Sequence, residues 1–502
     1  MTSAFASVLS PPKEWRFSQC FGEMTPATEQ NDCDILSAVE FDQTGKYLAT
    51  GDRGGRVVVF ETDLNKPPPK SSKSKRAPSA SSTAAADYKF YCEFQSHDQE
   101  FDYLKSLEIE EKINQIKWCS PNAGNRFLLS SNDKTIKLWK ISDKVMKPAA
   151  QLNVNLEVYH MAETASQSSG LAQRSHSLGA TLLGSSQTAR TGAMLAARQA
   201  GYLQLKSSAQ LYIPPVSSPP TANPPHKTYV NCEPKRAYAN AHTYHINSVS
   251  VNSDGESFIS ADDLRINLWH LNVSNQTFNI VDIKPDNMED LTEVITAAEF
   301  HPTDGSTFAY SNSRGSIKLV DMRQSALCHG RSVKAYEEEE QPGDKSFFSE
   351  IIASISDIKF TRNGNYIVAR DYLSLKIWDM KMERRPVKTI PIHEHLKPKL
   401  HDLYENDCIF DKFECVTSPD GKFFATGSYH NYLHVFDRSG NQDVIEATNS
   451  AVSLSKKSSQ VKRLVTDPGQ LDYSKKITSL SWHPEQNVIA VCGLNNLYLF
   501  TK

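Results

Sequence analysis

Seven segments of this chain repeat one pattern, and that repetition limits the possible folds more than any single residue does. Each holds a short β-rich run, a turn with Gly, Asn or Asp, a second apolar run, a second polar turn, and a closing third run. The copies start at Ser37, Ile113, Ile246, Ile295, Ile355, Phe413 and Ile477. They close on Phe60, Trp139, Trp269, Val320, Trp378, Phe436 and Phe500, six aromatics and one valine.

The runs are rich in β-branched and aromatic residues and alternate with period two, as Ile136 and Leu138 do against Lys137 and Trp139. That is the pattern of half-buried antiparallel strands. A sheet of this kind cannot bury both of its faces alone, whereas sheets stacked radially cover one another and leave only short edges. The expected fold is therefore all-β, a seven-bladed β-propeller. Four of the closing runs also carry the LW, IWD or VFD endings of WD repeats. The closing aromatics are expected to be core between blades and not a cofactor box.

A chain of 502 residues would ordinarily suggest about three domains, but seven repeats of about 40 to 45 residues leave one domain, 15–502, carrying insertions. Three stretches interrupt the repeat: 62–87, rich in Pro, Ser and Lys; 143–234, with a low-complexity Ala/Ser/Gln segment and a short helical pattern at TARTGAMLAARQ; and 441–472, a basic loop. The KSKR cluster in the first is compatible with a nuclear-import signal, although a solvated linker is the commoner reading.

The net charge of -3 argues against a globally basic nucleic-acid binder. No apolar run is long enough to insert into a membrane, and the N-terminus has no secretory pattern. The nine cysteines contain no CxxC pair and read as buried hydrophobes of a reducing compartment. The expected compartment is the cytoplasm, with nuclear entry left open.

No catalytic motif is legible: there is no phosphate loop, nucleophile elbow or HExxH. The cluster His393, Glu394, His395 and His401 lacks three ligands on one rigid element, so loop histidines are a better reading than a metal centre. No metal, cofactor or enzymatic activity is expected. Acidic residues do concentrate in segments 96–112, 279–294, 335–350 and 403–414, interleaved with Phe101, Tyr103, Leu291, Phe347, Phe348, Tyr404 and Phe410. All four are expected in connections entering a blade, which emerge on one propeller face. Such a surface suits a basic peptide or helix with apolar anchors, although a merely solvated acidic face has the same composition.

The strings FQSHDQEFDYLKSLEIEEKI, LLSSNDKTIKLWKIS, ANAHTYHINSVSVNSD, FNIVDIKPDNMEDLTEVITAAEFHP, SFFSEIIASISDIKF and LYENDCIFDKFEC include connections that a generic propeller has no reason to share. They resemble the WD-repeat B-type regulatory subunits of protein phosphatase 2A, over roughly Trp15–Ser142 and Tyr229–Lys502. The resemblance implies a non-catalytic subunit that docks on the scaffold and catalytic subunits and recruits basic phosphoserine or phosphothreonine substrates. It implies a substrate platform of Asp32 and Arg53, where the family often has Glu and Lys, with Phe101, Asp102, Tyr244, His245, Asp263 and Leu291. Tyr404, Phe410 and Lys412 belong to the same platform, and Phe347 and Phe348 of the acidic-aromatic connections are expected to recruit substrate with it. Leu104 and Met288 correspond to contacts with the catalytic subunit.

Asp263 has a second reading, because WD repeats commonly place a structural aspartate in that turn. The interruption after Ser142 departs from the family, which has a β-hairpin arm there that lies on the scaffold subunit. LYIPPV and YVNCEPKRAYANAH resemble only its returning half. On blade pattern alone, an adaptor for a ubiquitin ligase or chromatin complex remains a second class, and a propeller enzyme a third. The non-repeat strings favour the phosphatase subunit.

Overall fold

The computed structural model describes residues 14–22, 31–63, 87–103, 105–120, 125–145, 228–328, 333–338, 347–447 and 473–502. Most of the interruption at 62–87 and the helical pattern at TARTGAMLAARQ lie outside them. By contacts the chain forms two compact units, residues 1–141 with 232–502, and 142–231. Of the second, only 142–145 and 228–231 are described, as parts of two long strands, so the expected arm lies outside the described residues.

The first unit is a ring of seven four-stranded sheets. The innermost strands are Leu36–Phe41, Gln115–Trp118, Ser248–Val251, Ile295–Phe300, Ile355–Phe360, Cys415–Thr417 and Ile477–Trp482. They touch one another in sequence order and enclose a central channel. Two outer strands were not legible as such: Gln442–Glu446 is the fourth strand of the sixth blade, at the start of the expected third loop, and Thr228–Tyr238 begins inside the expected second one.

Each closing side chain packs on the preceding blade, as expected of inter-blade core. Trp378 meets Ala297, Ala309 and Ile317 of the fourth blade; Phe436 meets Val368, Leu375 and Ile377 of the fifth; Phe60 meets Val488, Ala490 and Leu497 of the seventh. Trp139 lies with its ring centroid 4.3 Å from that of Phe94 in the first blade. Covering both faces also corrects the expected alternation: Leu138 and Trp139 are each only 6% exposed although they point to opposite faces. Lys137 tolerates its position by donating from Nζ to the Ser96 carbonyl at 2.9 Å.

The last blade has a feature the repeat did not reveal. Its sequence unit supplies three strands, and the fourth is Arg16–Phe21 from the other end of the chain, paired with Asn496–Thr501 in a register that sets Phe17 opposite Phe500. Trp15, 3% exposed, meets Trp482 edge-on at 5.5 Å. Terminal closure locks the ring, since without it Asn496–Thr501 is a bare edge. Trp15→Ala should therefore cost about 3–5 kcal/mol, read as a lower denaturant midpoint. Truncation of residues 1–22 should cost at least as much, and a truncated chain that melts like the intact one would show that the ring closes without this strand.

Candidate functional site

The face that gathers several of the expected platform residues is organised by one turn device. Between the second and third strands of five blades, an Asp or Asn side chain accepts the backbone amides of its own turn. Asp52 accepts Arg56 N at 2.9 Å; Asn132 accepts Lys134 N and Thr135 N at 3.0 and 2.8 Å; Asp262 accepts Leu264 N and Arg265 N at 2.9 and 2.7 Å. Asn312 and Asp371 do the same in the fourth and fifth blades. All five are buried. In the first three blades the next residue, Arg53, Asp133 or Asp263, lines the mouth of the central channel.

This removes the turn-capping role from Asp263. The structural aspartate is its neighbour Asp262, which also takes a hydrogen bond from His242 Nδ1 at 3.0 Å. His242 Nε2 lies 2.6 Å from Ser260 Oγ, which accepts the Trp269 indole N–H at 2.8 Å. Burial opposes the Asp262 charge, but His242 and the turn amides outweigh it and hold the carboxyl below its usual range. Asp263 carries none of this and faces the channel. Burial raises its pKa, against the opposing pull of Lys412, His245 and Lys134.

The channel mouth is a cavity of about 860 Å³. Of the expected platform, Asp32, Arg53, His245, Asp263, Phe410 and Lys412 line it. Asp32 opens a short 3-10 turn, Asp32–Asp34, whose neighbours bind the next turn through Gly54 N to Cys33 O at 2.8 Å and Arg53 N to Ile35 O at 3.0 Å. His245 is largely exposed, with Nδ1 3.5 Å from the Asp133 carboxylate.

The mouth is not uniformly acidic, as the connecting segments had suggested. Lys112, Lys475 and Lys476 share it with Asp133 and Asp411. Burial lowers the Lys112 pKa, and the nearby Arg53 guanidinium lowers it further. Lys476 forms a close ion pair with Asp411.

Outside the mouth, two elements rise from the same face. Phe101 and Asp102 sit in a small hairpin, Glu100–Asp102 with Leu107–Ile109, where Phe101 meets Tyr103 edge-on at 5.1 Å. Its Lys105 donates from Nζ to Thr243 O at 3.5 Å, and Lys134 binds the same carbonyl, so the hairpin is tied to the loop bearing Tyr244 and His245. Leu104 lies outside the described residues.

The second element is aromatic. Phe347 opens the helix Phe347–Ala353 and, with Phe348, contacts Tyr404 at 5.6 and 6.0 Å between ring centroids. Tyr404 in turn contacts Phe410 at 6.0 Å, so Phe410 belongs to both the aromatic cluster and the channel mouth. Phe347 is 69% and Phe410 55% exposed. Met288 opens and Leu291 follows a 3-10 turn, Met288–Asp290, capped by the Asn287 side chain; neither lines the mouth. Met288 is exposed and Leu291 half-buried.

Below the mouth, ion pairs between innermost strands line the channel: Lys117 with Glu40 at 2.6 Å, and Lys359 with Glu299 at 3.2 Å. Glu414 accepts Ser479 Oγ at 2.8 Å and Leu480 N at 3.3 Å from the next blade. Burial, and then the Asp357 carboxylate, push its pKa from 4.5 to about 7. His393 is part of the core: its Nε2 lies 2.8 Å from Ser428 Oγ, and burial drives its pKa down. Among the described residues no group of three or more His, Cys, Asp or Glu is placed to hold a metal ion.

A model of the WD domain, G-beta repeat, matches residues 233–270. The chain is 47% identical over 98% of its length to the serine/threonine-protein phosphatase 2A regulatory subunit phr2AB of Dictyostelium discoideum, of which 99% is covered. It is 48% identical to the B alpha isoform of the serine/threonine protein phosphatase 2A 55 kDa regulatory subunit of Arabidopsis thaliana, over 98% of this chain and 97% of that one. It is 46% identical to the protein phosphatase PP2A 55 kDa regulatory subunit of Drosophila melanogaster, over 98% and 88%. The chain belongs to the B-type regulatory subunits of protein phosphatase 2A.

As a B-type subunit it is a regulator and not the catalytic component. Sequence reasoning on this subunit passed over Lys112, Asp133, Lys475 and Lys476, which line the same mouth. Superposing the repeats on one another would have exposed Asp133, since it follows Asn132 as Asp263 follows Asp262. The lysines carry no such positional signal.

Two outcomes follow for this B-type subunit. Asp262→Ala should cost about 3–5 kcal/mol, because it strands His242 and two turn amides, while Asp263→Asn should leave the urea midpoint nearly unchanged. Equal losses would show that both carboxylates hold the turn. For Glu414, a pKa raised on folding contributes stability present below about 4.5 and lost as the pH rises through about 7. Glu414→Gln, neutral throughout, should therefore gain melting temperature relative to the parent from about pH 5 to about pH 8. A constant difference over that range would mean that Glu414 ionises normally.

Proposed function

We propose that this B-type regulator docks on the scaffold and catalytic subunits of protein phosphatase 2A and presents basic phosphoserine and phosphothreonine proteins to the catalytic subunit. The client lies across the channel mouth and the adjoining aromatic cluster. The observation that carries this reading is the double membership of Phe410, which makes the charged mouth and the exposed rings one continuous surface.

The chemistry of recruitment follows from the geometry. Asp263 and Asp133 offer carboxylates to lysine or arginine side chains of the client, in a recess where reduced solvation strengthens the attraction. Phe347, Tyr404 and Phe410 offer exposed ring surface to an apolar side chain. Arg53, Lys112 and Lys412 repel cationic segments that approach in another register and give the site polarity. Leu104 and the exposed Met288 are assigned to the catalytic-subunit contact. This chain supplies no reacting group; it fixes where the client sits, and the catalytic subunit performs hydrolysis. The cytoplasm is the proposed compartment.

Purified alone, the chain should show no phosphatase activity, yet it should shift the substrate preference of a scaffold–catalytic dimer. Asp263→Lys and Leu291→Ala should each weaken capture of a basic phosphoprotein by about 1–3 kcal/mol while scaffold binding persists. A pulldown against scaffold, catalytic subunit and substrate reads all three. Unchanged capture, or joint loss of scaffold and substrate with a lowered melting temperature, would move the recruitment surface elsewhere.

A further inference from the structure

The outermost strands of the first and second blades, Tyr88–Gln95 and Thr228–Tyr238, each carry one cysteine near mid-length. Cys92 lies opposite Val59 in its own sheet, yet its sulfur meets Cys232 of the neighbouring blade, with the two Sγ atoms 3.6 Å apart. That is van der Waals contact between sulfurs, and a disulfide at about 2.05 Å requires the two sulfurs to approach by about 1.5 Å. Cys92 is buried and Cys232 half-buried, so one sulfur of the pair is reachable by a small oxidant.

The surroundings favour a reactive thiol. The hydrogen bond with Cys92 and, against burial, the positive charge of Arg126 lower the Cys232 pKa. The Arg126 guanidinium is held in place over the rings of Tyr47 and Tyr91, at 4.7 and 5.3 Å from their centroids. A partly accessible sulfur beside a fixed cation, with a second sulfur in contact, has the arrangement of a peroxide-sensitive cysteine and its resolving partner.

We propose that Cys92 and Cys232 are a reversible redox pair, closed by a hydroperoxide into a disulfide that staples the outer edges of the first and second blades. The Cys232 thiolate attacks the peroxide oxygen, giving a sulfenic acid and releasing hydroxide, or the alkoxide of an organic peroxide. The Cys92 thiol then attacks the sulfenic sulfur, the S–S bond forms, and water leaves. The two sulfurs lose two electrons in all, and the peroxide O–O bond is reduced. A dithiol reductant reverses the change. Cys92 and Cys232 lie on the strands that resume the sheet after the first and second interruptions of the repeat. Oxidation therefore joins covalently two blade edges that lie at the return points of both insertions.

The full chain can be treated with hydrogen peroxide, blocked with an alkylating agent and digested with trypsin without reduction. Cys92 falls in the fragment 90–105 and Cys232 in 228–235, and neither fragment holds another cysteine. The expected product is the 90–105/228–235 cross-link, released by dithiothreitol, with a denatured thiol count lowered by two from nine. In Cys92→Ser the cross-link should vanish, and Cys232 should be trapped by dimedone as the sulfenic acid. Recovery of both fragments singly alkylated from oxidised parent protein overturns the proposal, as does a sulfinic acid at Cys232 beside an unreacted Cys92. Should Cys92→Ser fail to fold, the parent fragment map decides alone.

Discussion

A four-stranded sheet with two apolar faces needs two neighbours, and everything else in this molecule depends on that requirement. Each blade meets it by pushing the last large side chain of its third strand into the blade before it, Trp378 into the fourth and Phe436 into the fifth. Side-chain contacts of this kind carry no direction that would stop the ring from opening. The backbone pairing of Arg16–Phe21 with Asn496–Thr501 supplies the stop, by making the last blade out of both ends of the chain. The same radial order brings the turns that follow Asp52, Asn132 and Asp262, and the connecting residues Lys112, His245 and Lys412, to one mouth.

At that mouth two adjacent carboxylates of the same turn have opposite fates. Asp262 is buried, bonded to His242 and to two amides, and serves the blade. Asp263 is turned into the mouth, where burial raises its pKa and cations from two other blades oppose the shift. The repeat thus separates frame from surface at single-residue resolution, because the turn requires a buried acceptor at one position and leaves the next free to vary. Arg53, Asp133 and Asp263 occupy that freed position with different charges. The mixed charge at the mouth of this phosphatase regulator is a consequence.

Much of the candidate site was legible before the fold was known. The acidic and aromatic residues of the connecting segments were visible as composition, and the ring gathers Phe347, Phe348, Tyr404 and Phe410 into one cluster through segments far apart in the chain. The lysines of the mouth were not legible, since Lys112, Lys475 and Lys476 stand in no motif and acquire meaning only by sharing the mouth with Asp133 and Asp411. Cys92 and Cys232 are 140 residues apart (232 − 92) and resemble ordinary buried thiols until adjacent blades place their sulfurs in contact.

The sequence alone determined the number of blades, the identity of the inter-blade core and the family, because each is a periodic or linear property that recurs or persists along the chain. Tertiary structure alone decided which aspartate of a pair is structural, how the last blade closes, and which distant charges share the channel mouth. Those outcomes depend on what lies across a turn, across the ring or between the two chain ends, and such distances are set only when seven mutually dependent sheets have packed.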